Sequence, residues 1–206
     1  WFNNDGKPIG NEVEDGCIQT NKIGGYVLMH KEKFGDFVLK CDVKMEDPCN
    51  SGIFFRVEDP KNPVNTGFEA QVATGTETGL HSHGALYDIV PAAVSASNGP
   101  GEWDHYTIVC SGSRIMIRIN DKMVVRTDID EFDQPGERVG EGDHKYQLNG
   151  EKRAVKDFAR EGFLGFQDHG HKCWYKNVKI LPITEEMAQK MRERRGNRRP
   201  QAEQQQ

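Results

Sequence analysis

The feature that most constrains this chain is a two-residue alternation that recurs along most of its length. In "GDFVLKCDVKM" (35–45), Phe37, Leu39, Cys41, Val43 and Met45 fall on one face and Lys40, Asp42 and Lys44 on the other. That is the period of a half-buried strand, because successive side chains in extended backbone point to opposite sides. Further strand-length runs are "SGIFFRVED" (51–59), "TGFEAQVAT" (66–74), "EWDHYTIVCSG" (102–112), "SRIMIRINDKMVVRTD" (113–128), "GFLGFQD" (162–168) and "CWYKNVKILP" (173–182). Gly, Pro, Asn or Asp punctuates them, and Asn120-Asp121 reads as a hairpin turn. The pattern predicts about ten strands, with one helical segment, "TEEMAQKMRERR" (184–195). Strands at this spacing without intervening helices predict an all-β sandwich or barrel.

The 206 residues suit one β domain over 1–183, followed by a short helix and a disordered tail over 184–206. Two segments depart from the strand pattern. Residues 75–102 are long for a hairpin loop and rich in Gly, His, Ala and Ser, which suits a functional loop. Residues 130–161 are strongly charged and read as an excursion over a sheet. A net charge of −5 leaves no electrostatic footprint for nucleic acid. No apolar run is long enough to span a membrane as a helix. The chain opens on Trp1 without a Met or a signal-like apolar segment, so processing or trimming is expected. Five cysteines show neither CxxC pairs nor zinc-ribbon spacing. Cys41 and Cys110 read as small buried residues, while one bridge involving Cys17 or Cys49 stays open.

The alternation also singles out polar groups. In "GIFFRVE", Phe54, Arg56 and Glu58 oppose the apolar face; in "GFEAQVA", Glu69 and Gln71 do; in "GFLGFQDHG", Gln167 and His169 do. If neighbouring strands align these positions, one polar concave face holds a cation, an anion, amides and an imidazole. With Phe54, Tyr87 and Trp103 as candidate aromatics, such a face suits a sugar, whose hydroxyls need polar partners and whose C–H faces need rings. A solvated outer face would also be polar, but it favours Lys, Glu and Thr over this hydrogen-bonding set.

His81-Ser82-His83 and His169-Gly170-His171 pair imidazoles at i, i+2, a spacing a transition metal can use in an extended segment. Asp128, Asp130 and Asp133 form an acidic cluster that lacks a calcium-loop pattern. No nucleophile elbow, P-loop or dinucleotide fingerprint is present. Ordinary glycosidases need two carboxylates flanking the scissile bond. The strand that would carry them reads Glu69, Gln71, Ala73, with a single carboxylate.

The blocks "NSGIFFRVED", "GFEAQV", "HGALYDIV", "GEWDHYTIVCSGSRIMIRIND" and "GFLGFQDHGHKCWYKNVKI" resemble, in order and spacing, the bacterial 3-keto-disaccharide hydrolase family, from about Val13 to Ile183. The resemblance implies a concanavalin A-like or laminin G-like jelly roll of two antiparallel sheets, and a periplasmic or secreted location. It also implies a carbohydrate partner, a glycoside already oxidised at C3. A ketone there acidifies the C2 hydrogen, so one base can start an elimination at C1 that water later completes. On this reading Glu69 or His169 is the base, and Arg56 and Gln71 hold the developing oxyanion and the hydroxyls. If a divalent metal ion polarises the ketone, His83, Asp168 or His169 are its ligands. Gln167 and Asp168 stand at the rim, where Asp168 could instead cap the turn before Gly170. Family members commonly continue "E-x-Q" into Ile-Leu-Asp, whereas this chain has "VATG". The competing readings are a non-catalytic carbohydrate-binding module and a structural adhesion domain.

Overall fold

Two antiparallel sheets face each other across one apolar layer in the computed structural model, which describes residues 1–9, 13–135, 147–148 and 151–196. The smaller sheet is built from β1 (Phe2–Asn3), β4 (Val27–Phe34), β13 (Gly162–Gln167), β6 (Asn50–Val57) and β7 (Phe68–Ala73), in that spatial order. The larger runs β10 (Lys122–Asp128), β9 (Arg114–Ile119), β8 (Trp103–Ser111), β5 (Phe37–Met45), β14 (Cys173–Pro182), β3 (Cys17–Gln19) and β2 (Val13–Glu14). Strands distant in sequence lie side by side, β13 between β4 and β6 and β14 between β5 and β3. This is the jelly-roll sandwich of the sequence expectation.

Alternation in β5 becomes the core directly: Phe37, Leu39, Cys41, Val43 and Met45 are all buried. Tyr106, Ile108 and Ile117 extend that layer on β8 and β9, and Ile53, Phe55, Phe68 and Phe166 meet it from the smaller sheet. Phe55 stacks on Phe68 at 5.7 Å between ring centroids. Each such side chain contributes about 1.5–3 kcal/mol by leaving water. All five cysteines are free and buried, so the bridge left open by the sequence is absent.

The turn between β9 and β10 has positive φ at Asn120 (47°) and Asp121 (65°), the conformation a two-residue hairpin demands. Asn120 then does more than turn. Its side-chain amide donates to Ala96 O (2.8 Å) and to Asp104 Oδ1 (2.7 Å). Asp104 also accepts from Ser97 Oγ (2.6 Å) and Asn98 N (2.7 Å), which pins the end of the 74–102 connection onto the larger sheet. Near its middle this connection adds an edge to the smaller sheet: Gly84 N donates to Gln71 O (2.8 Å), Gln71 N to Ala85 O (3.0 Å) and Tyr87 N to Glu69 O (2.9 Å).

The charged excursion includes a short hairpin of β11 (Gln147–Leu148) and β12 (Glu151–Lys152). Its remainder at 136–146 and 149–150, like the tail 197–206 expected to be disordered, lies outside the described residues. Between β6 and β7 sits a single helical turn, α1 (Pro63–Thr66). The C-terminal helix α2 spans Glu185–Gly196, and Thr184 Oγ1 caps it by accepting from Met187 N (3.3 Å).

Candidate active site

The site is laid out by the register of β7 on β6, which sets Phe54 opposite Glu69 and Gly52 opposite Gln71. Glu69 and Gln71 leave the smaller sheet on its outer face, away from the shared core. The Glu69 carboxylate lies across Gly52, where any Cβ would collide with Glu69 Oε1. The glycine of "NSGIFFR" is thus the space the carboxylate occupies. On the other side of β6, β13 brings Gln167 onto the same face. Beneath these groups Val27, Met29, Phe54 and Val57 form a second, smaller apolar cluster, with Tyr26 and Phe163 against it.

Three polar side chains are nearly sealed here: Glu69 is 2% exposed, Gln71 3% and Gln167 4%. Gln71 Nε2 donates to Asn50 Oδ1 (3.1 Å), and Gln167 Nε2 donates to the Tyr26 hydroxyl (2.6 Å). The amide oxygens of Gln71 and Gln167 have no hydrogen-bond partner among the described residues. A buried acceptor left so costs about 1–3 kcal/mol, so these two, on one face, are each able to take a hydrogen bond from a water or a bound donor. Burial, then the Glu69 carboxylate, pushes the Tyr26 hydroxyl up to about 12, so it keeps its proton at neutral pH and serves as a donor.

One strand further out, Tyr87 stands opposite Glu69 through its backbone hydrogen bond. The His81 ring stacks on Tyr87 at 4.6 Å, and His81 Nε2 lies 2.5 Å from Asp88 Oδ1. His169 is exposed at the rim, its ring 6.1 Å from that of Tyr26.

The structure therefore gathers Glu69, Gln71 and Gln167, with Tyr87 beside them and His169 at the edge. It separates the other candidates. Arg56, expected to hold an oxyanion, is buried elsewhere: Nε donates to Gly35 O (3.0 Å), Nη1 to Gly112 O (2.9 Å) and Nη2 to Asp36 Oδ1 (2.8 Å). Its φ of 51° breaks the strand alternation, so Val57 takes the outer-face position next to Phe54. Trp103 belongs to the larger sheet, under the ammonium groups of Lys176 (3.6 Å) and Lys44 (5.0 Å). Phe54 is wholly buried, a floor and not an exposed sugar platform.

The proposed metal ligands do not meet either. Residues 79–85 form turns, with Ser82 N donating to Gly79 O and Ala85 N to Ser82 O, so His81 and His83 diverge. His83 is buried between Ala73 N (3.3 Å), the Tyr106 hydroxyl (2.9 Å) and Asp104 Oδ2 (3.2 Å). Asp168 caps its turn, accepting from Gly170 N (2.9 Å) and Ile23 N (3.4 Å), and burial raises its carboxyl above the usual range. Among the described residues no three His, Cys, Asp or Glu side chains are set to hold a metal ion. Asp130 is taken by Arg160 (2.5 Å) and Asp128 by Arg114 (3.5 Å), so the acidic cluster is not a calcium cage. Sequence reasoning missed Tyr26, Asn50 and the tie between His81 and Asp88. The Gly before Tyr26 and the Asn-Ser-Gly block around Asn50 carry no periodicity that marks them.

Known proteins place the fold in context. A structure from Parabacteroides distasonis, provisionally named a glycosyl hydrolase, superposes with a TM-score of 0.73 at 25% identity, over 85% of this chain and 92% of its own. A second protein of that organism, named in the same way, shares the fold with a TM-score of 0.66 at 24% identity, over 89% of this chain and 88% of its own. In sequence, a 3-keto-disaccharide hydrolase of Bacteroides thetaiotaomicron is 24% identical across 82% of this chain and 68% of that protein. Residues 1–181 match the family described as the 3-keto-alpha-glucoside-1,2-lyase-like domain, and the chain belongs to that family.

Proposed function

We propose that this chain cleaves the glycosidic bond of 3-keto-glycosides outside the cytoplasm, by elimination across C2 and C1 followed by addition of water. The coarse class, a glycoside-cleaving carbohydrate activity, is supported by the family and by the relative named as a hydrolase. The finer reading rests on one observation. A single carboxylate, Glu69, is buried beside two buried amide oxygens that lack protein partners among the described residues. Sugar hydroxyls are donors in the right number for those acceptors.

In this mechanism Glu69 removes the C2 proton. The electron pair moves into a C2–C3 enolate, and the negative charge develops on the C3 oxygen. The protonated Tyr26 hydroxyl, held by Gln167 Nε2, donates toward that oxygen and takes the role the sequence assigned to Arg56. The pair then returns to form C1=C2 as the C1–O bond breaks. Water adding across that double bond gives the free 3-keto sugar. One base suffices, which accounts for the Glu-x-Gln strand without a second carboxylate.

The test is proton NMR of the protein with a 3-keto-glucoside and, separately, its unoxidised parent, each with and without EDTA. Consumption of the keto substrate alone is expected, and the EDTA arm reads metal dependence. Resonance broadening without turnover of either sugar would replace this proposal with a carbohydrate-binding module.

A further inference from the structure

The elimination leaves one proton transfer unassigned. Glu69 takes a proton from C2, but an alkoxide leaving from C1 needs a proton at the moment the bond breaks. Nitrophenolate, a far weaker base, does not. Gln71 and Gln167 are amides, and Tyr26 is committed to the C3 oxygen.

The His81–Asp88 pair lies next to the site, its imidazole stacked on Tyr87, the strand neighbour of Glu69. Asp88 is buried, with φ of 65°, and its backbone N–H donates to Leu80 O (3.1 Å), which fixes the carboxylate under the imidazole. Asp88 Oδ1 lies 2.5 Å from His81 Nε2, so that nitrogen keeps its hydrogen. Nδ1 makes no hydrogen bond among the described residues, and the side chain is 57% exposed. The ring is stacked flat on Tyr87, which is opposite Glu69 across the sheet edge. A carboxylate holding one N–H of an imidazole, with the other nitrogen open to solvent, leaves that second nitrogen able to donate a proton when the ring is an imidazolium.

We propose that the His81 imidazolium, its Nε2–H held by Asp88, donates its Nδ1 proton to the C1 leaving oxygen, so that the enzyme accepts glycosides of unactivated alcohols. This rests on the elimination reading above. His81 would touch the leaving oxygen, whereas Asp88 is a positioning residue. The proton balance closes: Glu69 gains one as the His81 imidazolium gives one up and becomes neutral, then water returns a proton to His81 Nδ1 as its hydroxide adds to C1, and Glu69 returns its proton to C2.

The test compares methyl and 4-nitrophenyl 3-keto-glucosides with the wild-type protein, His81→Gln and Asp88→Asn, reading kcat and KM. For His81→Gln, kcat is expected to fall about 10²-fold on the methyl glycoside and less than about 3-fold on the nitrophenyl one. Asp88→Asn should show the same split at smaller size. A variant that merely folds badly would lose both substrates in equal proportion. Equal losses, or no loss, with an active wild type would overturn the role of His81 alone. A wild type inert on both would overturn the elimination reading together with it.

Discussion

At the scale of single residues, the site depends on how little room each polar group has. Glu69 lies in the space that Gly52 leaves open, so Gly52→Ala should push the carboxylate aside. Turnover is expected to drop about 10-fold or more while the sandwich still folds, because displacing a catalytic group by about 1 Å is enough. Steady-state kinetics together with a thermal melt would check this. Glu69→Gln keeps the shape and removes the basicity, so kcat on a 3-keto-glucoside should fall about 10²-fold or more. Near wild-type turnover in that variant would remove Glu69 as the base. The pairing of Glu69 with Gln71 was legible in "GFEAQVA", since residues two apart on a strand share a face. Tyr26 was not legible, because it precedes β4 and reaches Gln167 across 141 positions of sequence.

At the scale of elements, Arg56 carries the lesson. "GIFFRVE" reads as unbroken alternation, which would put Arg56 beside Phe54 on the outer face. The left-handed backbone at Arg56 reverses that parity. Its guanidinium then ties β6 to the turn before β5 and to the turn between β8 and β9. Carbonyl acceptors presented by two distant turns outweigh the local strand preference, because a buried guanidinium must have its donors filled. Arg56→Met should therefore cost about 2–4 kcal/mol of stability in urea unfolding. It should leave KM for a 3-keto-glucoside close to wild type in the folded fraction, whereas a large rise in KM would return Arg56 to the substrate site. The 74–102 connection follows the same logic. Asp104 gathers Ser97, Asn98 and Asn120 around one carboxylate, so a segment without strands of its own still holds Tyr87 and His81 against the sheet edge.

At the scale of the whole molecule, buried ionisable groups set the range of pH in which the sandwich persists. Hydrogen bonds from His83, Ser97, Asn98 and Asn120 overcome burial and hold the Asp104 carboxyl below its ordinary value. The His105 and Asn177 side chains do the same for Asp42. Their contribution is present above the unfolded carboxyl value of about 3.9 and is lost as pH falls through the lower folded values. At the alkaline end, burial pushes Cys110 to about 12 and raises Cys41, Cys173, Tyr106 and Tyr175. These groups stay neutral in the fold but would ionise in the unfolded chain from about pH 8.5 for Cys and 10 for Tyr. Stability is thus complete below those values and declines as pH rises above them. Calorimetric melts should show Tm steady near neutrality, falling below about pH 4 and falling more steeply above about pH 9. A Tm unchanged up to pH 11 would contradict this burial of thiols and phenols.

The sequence by itself determined the runs that became β5 to β10, β13 and β14, most of their inner faces, and the Asn120-Asp121 hairpin, but not β1 to β4. Each depends on neighbours within a few residues, through the two-residue period or the turn chemistry. Only the tertiary structure decided which polar groups meet. Glu69 on β7 and Gln167 on β13 share a site because β6 lies between those strands, and strand order is set by packing of the whole core. For the same reason Arg56, Trp103, His83 and Asp168 left the site while Tyr26 and the His81–Asp88 pair entered its surroundings. A side chain's face follows from local period, but its partners follow from long-range pairing and from breaks in that period, which burial of distant charges can impose.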